Sequence, residues 1–299
     1  MIEYRIPKKL KKTSKIAIVS LSGAVKDIEP IKRAENFFGN LGYDVELSDC
    51  LMYKNRYMAG YDEERAEELH HYFSREDIDG IICSRGGYGA LRLINLIDYN
   101  LIKNNPKVFA GYSDITILSA MFLKKAGLIT YSAPMASGDF GAEEVSQFTV
   151  DNFFKAVTTD DDLNFKAKKF YKSGYAEGRM FGGNLASIVS LCGQDFIPDE
   201  KFIFFAEDVS EPVYKIDKMF TQLFNIPEFK KNLSGIVLGE FTNNDNEEWL
   251  DELFQEFAQN LDIPIYSGFE ITHSKDKITI PYGQKAKMEN GILTIFGNE

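Results

Sequence analysis

Val108-Phe109-Ala110-Gly111-Tyr112-Ser113-Asp114-Ile115-Thr116-Ile117-Leu118 reads as an apolar strand, a tight Gly-Tyr-Ser-Asp turn and the first turns of an amphipathic helix. Ile115, Leu118 and Phe122 share one face of that helix. This is the layout of a nucleophile elbow. A strand-to-helix turn holds a serine oxygen clear of its own backbone, and the amides of the new helix point at whatever it attacks. The match to G-x-S-x-G is incomplete, because Ile115 stands where the second glycine belongs.

Outward from this turn, the first half alternates strand and helix. Residues 15–20 predict a buried strand, 28–41 a helix, and 44–47 a second strand after Gly42. A charged helix over 62–73 leads to a third strand over 79–84, which Arg85-Gly86-Gly87-Tyr88-Gly89 breaks before a helix over 90–97. Repeated β-α units with short connections predict a parallel sheet covered by helices on both faces, with functional groups at the carboxyl ends of the strands. Both the glycine run and Ser113 fall at such ends.

The texture changes after the acidic stretch around Asp160-Asp161-Asp162. Phe181-Gly182-Gly183-Asn184 is expected to open an apolar helix reaching Leu191; an aromatic strand over 201–206, a helix over 211–224, a strand over 233–238 and a helix over 249–258 follow. The last stretches, 277–283 and 291–296, predict short strands. The expected fold class is therefore α/β: an N-terminal parallel-sheet domain over 1–158, a linker over 159–176, and a C-terminal mixed, β-rich α/β domain over 177–299.

Composition narrows the function classes. The 299 residues are 44% hydrophobic and 26% charged, an ordinary globular balance. A net charge of −11 and the lack of a basic stripe with interleaved aromatics argue against a nucleic-acid partner. Lys8-Lys9-Leu10-Lys11-Lys12 imitates the start of a signal peptide, but the apolar run after it is too brief for export, and no stretch approaches the roughly 20 apolar residues that span a bilayer. Cys50, Cys83 and Cys192 are odd in number and unclustered, which argues against a disulfide framework or a zinc site.

The glycine run has three readings. As a phosphate cradle it lacks the G-x-G-x-x-G spacing and the P-loop lysine. As punctuation between strand and helix it needs no function. As a source of backbone N–H groups beside the elbow it would serve an oxyanion hole. Glu207 follows the aromatic strand and competes with Asp208 for any carboxylate role; either is otherwise a surface acid opening a loop. His273 stands alone in Gly268-Phe269-Glu270-Ile271-Thr272-His273-Ser274, as a catalytic base or as a solvated loop residue. His70 and His71 lie on the charged helix with no i, i+4 metal pair and are assigned no role.

Taken in order, Ser84-Arg85-Gly86-Gly87-Tyr88-Gly89-Ala90-Leu91-Arg92-Leu93, Gly111-Tyr112-Ser113-Asp114-Ile115-Thr116, Gly182-Gly183-Asn184-Leu185, Glu207-Asp208-Val209 and His273 resemble the LD-carboxypeptidases, the family of the bacterial muramoyltetrapeptide carboxypeptidases. Asp139-Phe140-Gly141 and Tyr214-Lys215-Ile216-Asp217 extend the resemblance over most of the chain. The resemblance implies an elbow serine, Ser113, in the N-terminal domain, with Glu207 and His273 supplied by the C-terminal one. It implies His273 as general base and later acid, oriented by Glu207, and an oxyanion held by the N–H of Asp114 with one from Gly86 or Gly87.

The implied substrate is the tetrapeptide stem of peptidoglycan fragments, cut before its terminal D-alanine without metal or cofactor. Arg85 would then clamp the terminal carboxylate, or else serve as a structural or solvated arginine. The implied setting is recycling of wall fragments in the cytoplasm. A related branch resembles the microcin C immunity peptidases, which cut a peptidyl-nucleotide. A non-catalytic small-ligand-binding protein is the alternative from another class, and a homodimer stays open. The family usually has glycine before the histidine; Thr272 departs from this.

Overall fold

The computed structural model of the protein describes residues 3–297, so the outermost expected domain limits, 1 and 299, lie outside it. The first half builds β1 (Lys15–Val19), β2 (Asp44–Leu47), β3 (Gly80–Cys83), β4 (Val108–Ala110) and β5 (Thr130–Ser132), all paired parallel in the order β5-β4-β3-β1-β2. Apart from Lys15, every residue of β1, β3 and β4 is buried, as near-continuous apolar strands covered on both faces must be. Helices Glu29–Asn40, Asp62–Ser74 and Thr116–Ala126 supply that cover.

The stretch expected as one helix over 90–97 is divided. Ala90–Leu93 forms only a 3₁₀ turn, and a new helix begins at Tyr99, where the Asp98 side chain accepts from the amides of Asn100 and Leu101. A competing N-cap so close downstream ends the first element early.

The second half builds a mixed sheet from β6 (Leu163–Lys166), β7 (Lys169–Lys172), β8 (Ala176–Asn184), β9 (Phe202–Val209), β10 (Leu233–Thr242) and β11 (Ile265–Ser267). Then β12 (Ile280–Tyr282) leaves it, and β13 (Lys285–Glu289) and β14 (Ile292–Ile295) return. Its centre, β8-β9-β10-β11, is parallel; its flanks are antiparallel. Among the described residues no helix is long and apolar enough to cross a membrane.

Three expectations for this half need correction. The segment 159–176 does not merely link: β6 and β7 pair with β14 and β11 at opposite edges of the second sheet. Phe181-Gly182-Gly183-Asn184 is itself the end of the nine-residue β8; its last residue, Asn184, does cap a helix, but that helix covers only Leu185–Val189 and stops short of Leu191. A Cβ on Gly182 would stand 1.9 Å from the Phe205 carbonyl, so glycine permits β8 to lie against β9 here. Finally, Ile280–Tyr282 joins the first sheet, antiparallel to β5. The chain segment carrying His273 thus crosses from the second sheet to the first.

Candidate active site

Ser113 has φ +60°, the strained left-handed conformation of an elbow, and its side chain is half-buried. The place of the missing second glycine has a steric explanation. A Cβ on Gly111 would meet Ile115 Cγ2 at 2.8 Å, so Gly111 alone makes room and the wholly buried Ile115 fills it.

The glycine loop after β3 closes over this serine. A Cβ on Gly86 would lie 2.9 Å from Ser113 Oγ and 3.4 Å from the Asp114 nitrogen, which puts the Gly86 backbone beside both. Gly87 has φ +117° and is exposed, while the Gly86 carbonyl accepts from the Gly23 amide at 3.1 Å. The buried Asp114 carboxylate accepts from Ser22 Oγ at 2.5 Å and from the Ala90 amide at 2.8 Å, tying three strand-end loops together. Burial raises its pKa, and those two donors oppose the rise. Arg65 braces the same loops from beneath, fully buried, donating to the carbonyls of Leu21 at 2.9 Å and Gly89 at 2.8 Å.

On the facing side, β9 runs through Asp208 to Val209, so Glu207 and Asp208 sit inside the strand and point to opposite faces. Glu207 Oε2 lies 2.7 Å from His273 Nδ1, and the carboxylate is buried. Asp208 instead accepts from Asn184 Nδ2 at 3.0 Å and from the Ala186 amide at 2.9 Å, fastening the start of the Leu185–Val189 helix. Its burial pushes its pKa up to about 6. Strand alternation thus separates the two acids that sequence left in competition. The buried Thr272, which replaces the expected glycine, donates to Glu240 Oε2 at 2.6 Å and fixes the backbone before His273.

The two halves meet at the elbow. The Tyr112 ring packs edge-on against the His273 ring, with centroids 5.0 Å apart. A Cβ on Gly183 would meet Thr116 at 2.7 Å, and the Asn184 amide donates to Thr116 Oγ1 at 3.3 Å, so the end of β8 seats on the helix behind Ser113. Arg85 is half-buried and donates to the Ala24 carbonyl at 3.1 Å, and it pairs with no acid among the described residues. His70 accepts from the Asp98 amide at 2.9 Å and stands apart from the site. Sequence missed the bracing role of Arg65, although a signal was present: it falls on the stripe of Leu69, Tyr72 and Phe73 rather than on the solvated face.

The elbow serine, the close Gly86 backbone and the Glu207–His273 pair, reached through Tyr112, are the residue types that acyl transfer by a serine uses. The chain is similar to known proteins over most of its length. The chain is 30% identical over 298 residues to a probable murein peptide carboxypeptidase of Bacillus subtilis, an alignment covering 96% of this chain and 92% of that one. It is 29% identical to the microcin C7 self-immunity protein MccF of Escherichia coli, over 86% of this chain and 84% of the relative. The crystal structure of muramoyltetrapeptide carboxypeptidase from Oxalobacter formigenes superposes with a TM-score of 0.87 at 28% identity, covering 95% and 99% of the two chains. The profile of the LD-carboxypeptidase N-terminal domain matches residues 16–133 and that of the C-terminal domain residues 177–288, so the chain belongs to the LD-carboxypeptidase family of peptidases.

Proposed function

We propose that the protein is a serine peptidase that releases the terminal D-alanine from tetrapeptide stems of peptidoglycan fragments. The observation that carries this is the Glu207–His273 hydrogen bond beside a strained elbow serine faced by Gly86. Ser113 Oγ attacks the carbonyl of the diamino acid while His273 Nε2 takes its proton. The N–H groups of Asp114 and of Gly86 or Gly87 hold the oxyanion. His273 then protonates the leaving amine, D-alanine departs, and water hydrolyses the acyl-enzyme with His273 again as base. Glu207 keeps the imidazole in the tautomer that presents Nε2 to the serine. Arg85, beside the glycine loop, receives the free carboxylate of the substrate.

Two relatives support the substrate class through their names, a murein peptide carboxypeptidase and a muramoyltetrapeptide carboxypeptidase. Free thiols at Cys50, Cys83 and Cys192 suit the reducing cytoplasm, where recycled wall fragments are processed. The test is to incubate purified protein with a tetrapeptide stem, an all-L analogue and a peptidyl-nucleotide. Release of D-alanine from the first alone, unaffected by chelator, is expected. Cleavage of the peptidyl-nucleotide alone would move the protein to the branch of the microcin immunity relative, and inhibition by chelator would discard the serine mechanism.

A further inference from the structure

Lys277 lies four residues beyond His273 on the segment that crosses between the sheets, and it is only 3% exposed. Its ammonium ion-pairs with Asp139, itself 9% exposed, and donates to Tyr112 Oη at 3.2 Å. The same ammonium stands 4.6 Å over the centroid of the Tyr112 ring. Contacts therefore run without a break from Asp139 through Lys277 and Tyr112 to the imidazole of His273, and Tyr112 is also the residue before Ser113. Glu207, Tyr112 and Lys277 all line one small cavity behind the site. Asp139 is fixed in turn by the Met135 amide at 2.8 Å.

A buried ion pair is a poor device for stability alone. Desolvating both charges costs several kcal/mol, and apolar residues of similar volume commonly serve the fold as well or better. Other contacts already staple this segment to the first half: Ser146 donates to Asp276 at 2.5 Å, and Thr149 Oγ1 bridges the Lys275 carbonyl and the Lys277 amide. What the pair adds is direction. A cation over a ring face, hydrogen-bonded to that ring's hydroxyl, fixes both the tilt and the rotation of Tyr112. Burial, Asp139 and Glu207 all hold the Tyr112 phenol in its neutral form, so Lys277 donates to a hydroxyl oxygen and keeps Asp139 as its charged partner.

We infer that the Asp139–Lys277 ion pair is a positioning device: it fixes Tyr112, whose ring sets the plane of the His273 imidazole between Ser113 and Glu207. This rests on the Ser113–His273–Glu207 mechanism proposed above. Since none of the three residues is assigned contact with substrate, disturbing the pair should change turnover and leave binding alone. Misplacing a catalytic group by about 1 Å costs about 100-fold.

The test compares Lys277→Met, Lys277→Arg, Asp139→Asn and the double variant Asp139→Leu/Lys277→Met in the full chain. Readouts are kcat and KM on the tetrapeptide stem, Tm, and the far-downfield proton resonance of His273 Nδ1–H. The double variant, with no unpaired buried charge, is expected to melt close to wild type. Its kcat should fall about 100-fold, its KM should stay within about twofold, and the Nδ1–H resonance should broaden or shift. Lys277→Arg should recover part of the loss. Wild-type kcat and an unmoved resonance in a folded double variant would overturn the inference. Should the double variant fail to fold, Tyr112→Leu carries the test, with the same split between kcat and KM expected and wild-type kcat overturning the idea. A fluorophosphonate probe keeps the two proposals apart: wild-type protein that neither labels at Ser113 nor releases D-alanine sinks the mechanism, whereas labelled wild type with an unaffected double variant sinks the positioning role alone.

Discussion

The proposed nucleophile and the proposed base are held in opposite ways. Ser113 sits where the parallel neighbours β1, β3 and β4 end together, and its own geometry is set by backbone, a left-handed φ and the close approach of Gly86, with the Asp114 carboxylate tying the surrounding loops. His273 belongs to no regular element. It is placed by side chains, Glu207 from β9, Thr272 against Glu240, and Tyr112 from the opposite half. A site built from backbone tolerates the loss of its own side chain. A site built from side chains does not tolerate the loss of its partners.

The sharpest test of this contrast is Ser113→Ala. The elbow backbone persists without the hydroxyl, so the variant is expected to melt at the wild-type temperature while D-alanine release falls by about 10⁶-fold. His273→Gln should match that loss, because nucleophile and base fail as a unit. Retention of a tenth of the activity by either would remove that residue from the mechanism.

The next largest effect separates the neighbours on β9. Glu207→Gln leaves the imidazole without its anionic partner and is expected to lower kcat by about 10⁴-fold, the size of the loss when a triad carboxylate becomes an amide. Asp208→Asn should cost less than tenfold in kcat and lower Tm instead, since an amide turned toward the Ala186 N–H loses an acceptor. The reverse ranking in kcat would transfer the orienting role to Asp208.

The same contrast explains what could be read without coordinates. Strands β1, β3 and β4 are apolar runs, β2 alternates polar and apolar residues, and their partners come from consecutive β-α units, so periodicity alone located β1 to β4 and the serine turn. In the second half β8 pairs with β9 and also with β13, about a hundred residues further on, and β6 pairs with the terminal β14. Nothing in a local window marks such partners. Gly182 and Gly183 broke the alternation that would have marked β8 as a strand, and a polar stretch passed for a linker because both its strands lie at sheet edges. Glu207 and His273 are candidates from their positions in the chain, but they meet because Ile271 and Thr272 are held on Glu240 of β10, the neighbour of β9, which no short-range pattern carries.

Gly86→Ala asks how much of the nucleophile side depends on bare backbone. The added methyl would sit 2.8 Å from Ser113 Cβ and 2.9 Å from its Oγ, so either the loop or the serine has to move. Displacing one oxyanion donor costs on the order of 10²-fold or more in kcat. Tm should fall as well, because Gly86 is buried and forcing a methyl into a packed site costs about 1–3 kcal/mol. Undiminished kcat would show that the donor opposite Asp114 is not at Gly86.

The smallest effect probes the floor under the glycine loop. Glu68, on the Asp62–Ser74 helix, is buried and accepts from the Ser20 amide at 3.3 Å; Ser20 in turn shares a 2.7 Å hydrogen bond with Ser84, the residue before Arg85. Burial pushes its pKa up from the usual 4.5 to about 7. Between those values the folded chain binds more protons than the unfolded one, so this group's contribution is fully present below about 4.5 and lost as pH rises through 7. Glu68→Gln copies the protonated form in shape and in its acceptor. It should match wild type near pH 4.5 and melt a few degrees higher at pH 8, with roughly 3 kcal/mol as the ceiling on the difference. Parallel Tm curves across that window would mean that Glu68 is ionised in the folded chain and that the floor of the loop carries a buried charge.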